Sequence, residues 1–477
     1  MRFRVSIAVV VLVVSIPLFA ADYVLVADGW NPSRSEAVAA AGGTVTYSHA
    51  ATGIAVASSD DPAFADRLNG TGAFSIVAQD VHTRMQARTQ VVELEESAVT
   101  PGNETFVHVQ WVHRAVNAQA AWDAGYTGRG VRIAVLDGGI HDRHIDLRDR
   151  VDTALSKSFV PGQPYNADTG TFWHGTHVAG VIAASDNNIG AIGIAPEATL
   201  IAVKILHDGG GEFGWAIPGI LYAADPISEG GAGADIINMS LEAHINRKGG
   251  GGPLVSAMAK AVNYAKSRGV LVISAAGNDA LDLGQPEEPV DEHEGEEGEE
   301  GEEHEGEPEE PLHKSVVFLP AESGSGIAVS ATGPVGYGFG ATDFRRPAFY
   351  TNYGEGVVWV SAPGGDFSLE ETPQGQQLCS FPRVPSGMTT QRCWIFDMIL
   401  SSTRGSGAST GTYSYGAGTS MAAGVVSGVA ALVKQAKPNA TPAQLKTILA
   451  RTADDEGRRG TDQFHGHGFV NAGRAVE

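Results

Sequence analysis

The chain has 477 residues, 43% of them hydrophobic and 18% charged, with a formal net charge of −23. The apolar content suffices for a substantial core and excludes a chain disordered throughout, while the charge argues against a nucleic-acid partner. The excess is local: residues 286–311 hold fifteen Asp and Glu and no Lys or Arg.

At the start, Arg2 and Arg4 precede a mostly apolar run, residues 5–19, interrupted by Pro17 and followed by Ala20 and Ala21. The run is too short and broken for a comfortable membrane span. Residues 1–20 read as a secretory signal, cut after Ala20 or Ala21. No second stretch offers a stable membrane anchor, so a secreted protein, extracellular or periplasmic, is expected.

Residues 21–82 predict a small α+β domain. Strands are expected at 23–27, 44–47, 53–57 and 74–78. Helices are expected at 33–41, stopped by Gly42-Gly43, and at 62–68, stopped by Asn69-Gly70. The order is βαββαβ. Residues 83–105 are polar, aperiodic and contain Pro101-Gly102, which reads as a linker.

From 106 to 477 strands and helices alternate, which predicts an α/β domain with a mostly parallel sheet. Residues 131–136, 200–205, 236–239 and 270–274 are short apolar runs of the buried-strand kind. A helix over 255–267 is stopped by Gly269. Thr441, Pro442 and Gln444 supply a cap, an N1 proline and an N3 glutamine for another. Residues 286–311 and 366–396 read as insertions. The first has too few apolar residues to offset its ordering entropy, and disorder is expected. The second carries the chain's two cysteines, Cys379 and Cys393. In an exported protein they are expected to pair, and closing that loop contributes about 3 kcal/mol in the chain-entropy view.

Chemistry concentrates at three points. Asp137 ends the run Val-Arg-Ile-Ala-Val-Leu-Asp. His174 opens His-Gly-Thr-His-Val-Ala-Gly. Ser420 follows Gly418-Thr419 and opens a helix of small and apolar residues, where unpaired N–H groups and the dipole favour negative charge. An aspartate, a histidine and a serine are what nucleophilic acyl transfer needs: a nucleophile, a base and a group that orients the base. Asn278, in Ala275-Ala276-Gly277-Asn278 after a buried run, offers an amide donor to an oxyanion, together with the Ser420 N–H. His177 lies three residues along the helix from His174 and reads as packing.

In this order the blocks resemble the subtilisin-like serine peptidases. Val-Leu-Asp-Gly-Gly-Ile at 135–140 with His144-Ile145-Asp146-Leu147 resembles the family's Asp block, and residues 174–180 match its His block. Residues 193–196, Asn238-Met239-Ser240-Leu241, Ala276-Gly277-Asn278, Tyr353-Gly354, Ala362-Pro363-Gly364 and residues 466–471 match further blocks. The likeness covers about residues 110–477. It implies a three-layer subtilisin-like domain and a serine endopeptidase acting on proteins or peptides. It implies that Ser240, Leu241, Ala276 and Gly277 line the substrate site. Residues 21–82 are similar to the family's inhibitory propeptide, an internal partner that aids folding and is then removed. The likeness also implies structural calcium. Asp146 and Asn187 would supply side-chain oxygens, and Ser185, Ile189 and Ala191 carbonyls, with Gln110 a weaker ligand; oxygen-only donors suit that hard cation. A monomer is expected. Two other readings are a serine esterase and a non-catalytic calcium-binding surface protein on a peptidase fold.

Three positions depart from the family's pattern. Gly138 stands where Ser or Thr is usual, which deprives Asp137 of a hydroxyl partner. Glu242-Ala243 replaces a Gly pair and brings a carboxylate near the substrate strand. Gly424-Val425 replaces Pro-His after the serine.

Overall fold

The computed structural model describes residues 20–84, 92–94, 104–169, 173–284, 316–404 and 411–477. Residues 1–19 of the expected signal 1–20, and the acidic run 286–311, lie outside the described residues. The chain divides into two compact units, Met1–Asp80 and Val81–Glu477.

In the first unit, strands Ala21–Val26, Thr44–His49, Ile54–Ser59 and Ile76–Gln79 form an antiparallel sheet, with Ala21–Val26 paired to both of the last two. Helices Pro32–Ala40 and Phe64–Thr71 complete the βαββαβ order. Tyr23, Leu25, Val38, Phe64 and Leu68 make its core. Each comes from an alternating strand face or a helix stripe, the periodicity that marks amphipathic elements.

The second unit is built on seven parallel strands. Their spatial order is Val358–Pro363, Ile327–Thr332, Leu271–Ala275, Ile236–Met239, Arg132–Asp137, Thr199–Lys204 and Lys157–Ser158. Side chains alternate between two covered faces. Ile133 and Val135 join the cluster that includes Val425, Val429 and Leu432 of helix Thr419–Ala436. Leu136 and Val203 point the other way, onto Gly219 of helix Phe213–Ala224. Helix, sheet and helix form three layers, which explains why these strands read as continuous apolar runs. After Thr199–Lys204 the chain returns to the opposite side of Arg132–Asp137 and continues outward from there. The Asp137 strand therefore borders the point where strand order reverses, and crevices at such points beyond the carboxyl ends are where open α/β sheets bind ligands.

Thr441 caps helix Pro442–Thr452 through a full capping box with Gln444. Cys379 and Cys393 are disulfide-bonded across the hairpin Leu378–Pro382/Met388–Arg392. The stretch expected to be a linker is partly ordered into the second unit. His82–Arg84 pairs antiparallel with Gly210–Glu212, and Val92–Leu94 with Thr412–Gly416. These three-residue strands take their backbone partners from distant edges, which a local polar composition cannot reveal. Glu104, also placed in that linker, is buried.

Candidate active site

Asp137, Ser240, Asn278, His174 and Ser420 sit at or just beyond a strand end or at a helix start. Asp137 is the last residue of its strand and is 1% exposed. Both of its carboxylate oxygens lie within reach of His174 Nδ1, at 3.0 and 2.9 Å. Its Oδ1 also accepts the Gly138 N–H at 2.6 Å. Burial opposes the His174 imidazolium, but the Asp137 carboxylate, with Asp168 behind it, holds the pKa above its ordinary value.

His174 opens helix His174–Ala183 and Ser420 is the second residue of helix Thr419–Ala436. These helices pack side by side in the same direction. A Cβ on Gly424 would lie 3.6 Å from Val178, and Ile182 lies against Gly428. One turn before those contacts stand His174 and Ser420, so the two N-terminal turns are neighbours. Gly424 is the place where this pair closes, and the Ser420 helix runs unbroken through it.

Ser420 is locked to the neighbouring strand end. Its Oγ donates to Ser240 O at 3.2 Å, and Ser240 Oγ donates to Ser420 O at 2.8 Å. Asn238 Nδ2 donates to Ser240 Oγ, and Ser427 Oγ donates to Asn238 Oδ1, each at 2.9 Å. Asn278 follows the central strand Leu271–Ala275. Its Oδ1 accepts Thr419 N–H at 2.8 Å and Thr419 Oγ1 at 3.1 Å. A backbone N–H can only donate, so the amide oxygen must face Thr419, which leaves Nδ2 as the donor beside Ser420. Gly277, at φ +111°, has backbone geometry that L side chains rarely adopt. Asn352, missed in the sequence, fixes this loop by accepting Asp279 N–H and Leu281 N–H at 2.9 and 3.0 Å and donating to Ala276 O.

The room left by the missing side chain at Gly138 is taken by a carboxylate. A Cβ there would fall 2.9 Å from Asp168 Oδ1. Asp168 is fully buried and accepts Thr176 N–H and Thr176 Oγ1 at 2.7 and 2.6 Å, fastening the first turn of the His174 helix. Burial, then Asp137, pushes its pKa up to about 7. His177 meets Ser414 O at 3.1 Å, and burial lowers its pKa to about 3, a neutral packing histidine.

The residues expected to hold calcium come together, with one addition. Asp146 Oδ2 accepts Ala191 N–H at 3.1 Å, Ser185 N–H bonds Asp146 O at 2.9 Å, and Asn187 Oδ1 accepts Ile189 N–H at 3.0 Å. Glu104 Oε1 accepts Asn187 and Asn188 N–H, both at 2.9 Å, while its buried Oε2 meets no hydrogen-bond donor among the described residues. Burial raises the Glu104 pKa to about 8 and that of Asp146 to about 7. Two buried carboxyls, a side-chain amide oxygen and a loop of carbonyls fit a hard dication. Gln110 is spent otherwise: both ends of its amide bond the Ile192 backbone.

Comparison with known proteins decides the class. Residues 128–468 match the model of the Subtilase family. The chain belongs to the subtilases. Subtilisin BL of Lederbergia lenta is 34% identical over 370 residues, 77% of this chain and 98% of that protein. Alkaline elastase YaB of Bacillus sp. (strain YaB) is 33% identical over 387 residues, 81% of this chain and 74% of that one. The crystal structure of the epidermin leader peptide processing serine protease from Staphylococcus aureus is similar at TM-score 0.69, with 21% identity, covering 96% and 98% of the two chains; this likeness concerns the fold. The subtilase is a subtilisin-like serine endopeptidase.

Proposed function

We propose that Ser420 Oγ attacks the scissile carbonyl while His174 takes its proton and later returns it to the leaving amine. Asp137 holds the imidazole tautomer and steadies the imidazolium. Asn278 Nδ2 and the Ser420 N–H stabilise the oxyanion. The observation that carries this reading is the Asp137–His174 pair, held at hydrogen-bond distance at the mouth of a helix running parallel to that of Ser420. The cycle breaks the peptide C–N bond, forms a Ser420 ester, and breaks that ester with water.

The chain is read as a secreted preproenzyme with signal 1–20 and propeptide 21–82. The strand His82–Arg84 on Gly210–Glu212 supports peptide capture by strand addition, with Ser240 and Leu241 facing the same substrate. Maturation cleavage then falls in the segment after Arg84. A monomer acting on protein or peptide substrates accounts for these features. A calcium ion is held by Glu104, Asp146 and Asn187 with the carbonyls of Ser185, Ile189 and Ala191; its contribution is rigidity of the loop.

The test is labelling with a fluorophosphonate, alongside casein and short-chain ester assays. Wild type should label and digest casein, while Ser420→Ala should do neither and should keep its propeptide in a protease-free host. For subtilisin, where the figure was established, removing the serine costs about 10⁶ in kcat. Ester hydrolysis without casein digestion would favour an esterase. Labelling retained in Ser420→Ala would refute the nucleophile.

A further inference from the structure

Glu242, His244 and Asp279 form a cluster that the catalytic reading does not use. Glu242 lies two residues after Ser240, whose carbonyl holds Ser420 Oγ. Its carboxylate crosses to the opposite wall: a Cβ on Gly277 would fall 2.0 Å from Glu242 Oε2. Gly277 immediately precedes Asn278. The carboxylate thus stands against the backbone that carries the oxyanion donor, two residues along the chain from the strand end that holds Ser420. The side chain of the P1 residue branches from the Cα bonded to the attacked carbon and must enter this crevice.

The Glu242 side chain is 7% exposed, and neither oxygen meets a hydrogen-bond donor at good geometry among the described residues. His244 Nε2 is nearer to Asp279 Oδ2, at 3.3 Å, than to Glu242 Oε2, at 3.9 Å. One imidazolium therefore faces two carboxylates, and Asp279 has the closer share. Burial works against that imidazolium, yet the two carboxylates raise its pKa to about 9, and Glu242 itself is raised, chiefly by burial. What remains is a buried acid beside the reacting centre, approached by the Asn278 N–H and His244 but short of one cation and of well-aligned donors. A guanidinium or ammonium supplies both.

We propose that Glu242, whose charge His244 offsets only in part because Asp279 holds that imidazole closer, selects substrates with arginine or lysine at P1. The inference rests on the Ser420 reading, since that reading locates the P1 residue. It makes Glu242 a specificity residue at the position where the family's pattern has glycine.

The experiment measures kcat/KM on peptides differing only at P1 (Arg, Lys, Leu, Ala, Glu), at saturating calcium, per active site titrated with fluorophosphonate. Failure of the titration counts against the Ser420 reading alone. Wild type should favour Arg and Lys over Leu, and Glu242→Gln should reduce the Arg-over-Leu ratio by about ten- to hundredfold. Glu242→Asp, which keeps the charge but shortens its reach, should fall between them. Both variants are judged per titrated site, so a partly folded preparation does not mimic the result. An Arg-over-Leu ratio unchanged by Glu242→Gln overturns the proposal, as does a wild-type preference for Ala or Leu. Micromolar zinc that inhibits wild type and not Glu242→Gln would assign the three side chains to a metal and overturn it equally.

Discussion

Asn278 holds two jobs in one amide, and two substitutions separate them. Its Oδ1 accepts Thr419 N–H and Oγ1, and its Nδ2 is left for the oxyanion. Asn278→Leu removes both. Losing the donor should lower kcat by about 10²–10³, the magnitude known for the same group in subtilisin, or about 2.7–4 kcal/mol of transition-state stabilisation. The buried Thr419 N–H also loses its partner, which costs about 1–3 kcal/mol of stability. Thr419 Oγ1 is better placed, because it still accepts Gly277 N–H at 3.1 Å. At about 2–4 °C per kcal/mol for a domain of roughly two hundred residues, and less for a larger one, Tm should fall by a few degrees. Asn278→Asp keeps the acceptor for Thr419 and replaces the donor with a charge that repels the oxyanion. Its kcat should fall at least as far as in the Leu variant, while its Tm stays closer to wild type. The assay is steady-state hydrolysis of one tetrapeptide anilide at pH 8, with calorimetry on the same preparations. A change confined to KM in Asn278→Leu, or an Asp variant as active as wild type, would refute the oxyanion role.

EDTA should accelerate thermal inactivation and self-digestion, and Glu104→Gln, Asp146→Ala and Asn187→Ala should each blunt the calcium response. The ion adds RT ln(1 + [L]/Kd), about 2.7 kcal/mol at a hundredfold excess, so a Tm indifferent to EDTA in wild type would rule the site out. Asp168→Asn removes a negative charge that supports the His174 imidazolium, so the acid limb of kcat/KM should move to lower pH; a limb that stays fixed or moves up contradicts the coupling. The stability sign follows from the same group. Burial raises the Asp168 pKa from the ordinary aspartate value near 3.8 to about 7 in the folded protein, so its contribution is full below the lower value and declines as pH rises through about 7. The stability deficit of Asp168→Asn should therefore shrink over that range in urea titrations. Met421 is fully buried next to Ser420, and a sulfoxide there inserts a polar oxygen beside the nucleophile. Dilute peroxide should cut activity in wild type and spare Met421→Ala; equal losses would place the sensitive residue elsewhere.

The sheet and the five residues of the proposed site were legible because each signal is local. Asp137 and Ser240 directly follow runs of buried-strand character, Asn278 comes shortly after another, and His174 and Ser420 each open a helix of small and apolar residues. Parallel strands put all their carboxyl ends on one edge, so order along the chain became proximity in space. Other residues could not be read this way. Glu104 stands in a polar, aperiodic stretch, and what makes it matter is a pair of backbone N–H groups more than eighty positions away. Asn352 was passed over for the neighbouring Tyr353-Gly354, although it is the side chain that ties down the Asn278 loop. The strand His82–Arg84 owes its existence to Gly210–Glu212. In each case the partner is long-range and the local sequence is ordinary.

The two departures at Gly138 and Glu242 look alike in sequence, since each exchanges a residue beside the reacting groups. In the structure they differ in kind. At Gly138 the missing hydroxyl leaves no vacancy: Asp168 fills the space, binds the first turn of the His174 helix and adds a negative charge behind the imidazole. That space is filled within the fold, although Asp168 Oδ1 itself meets no donor among the described residues. At Glu242 the exchange adds a buried carboxylate, and His244 answers it only in part because Asp279 draws the same imidazolium closer. A buried acid with no well-aligned donor on either oxygen costs several kcal/mol unless a counter-charge arrives. A fold that tolerates this cost two residues from Ser240 and beside Gly277, which precedes the oxyanion donor, recovers it when a cationic side chain binds. The departure at Gly138 therefore belongs to tuning of the triad, and the one at Glu242 to the substrate.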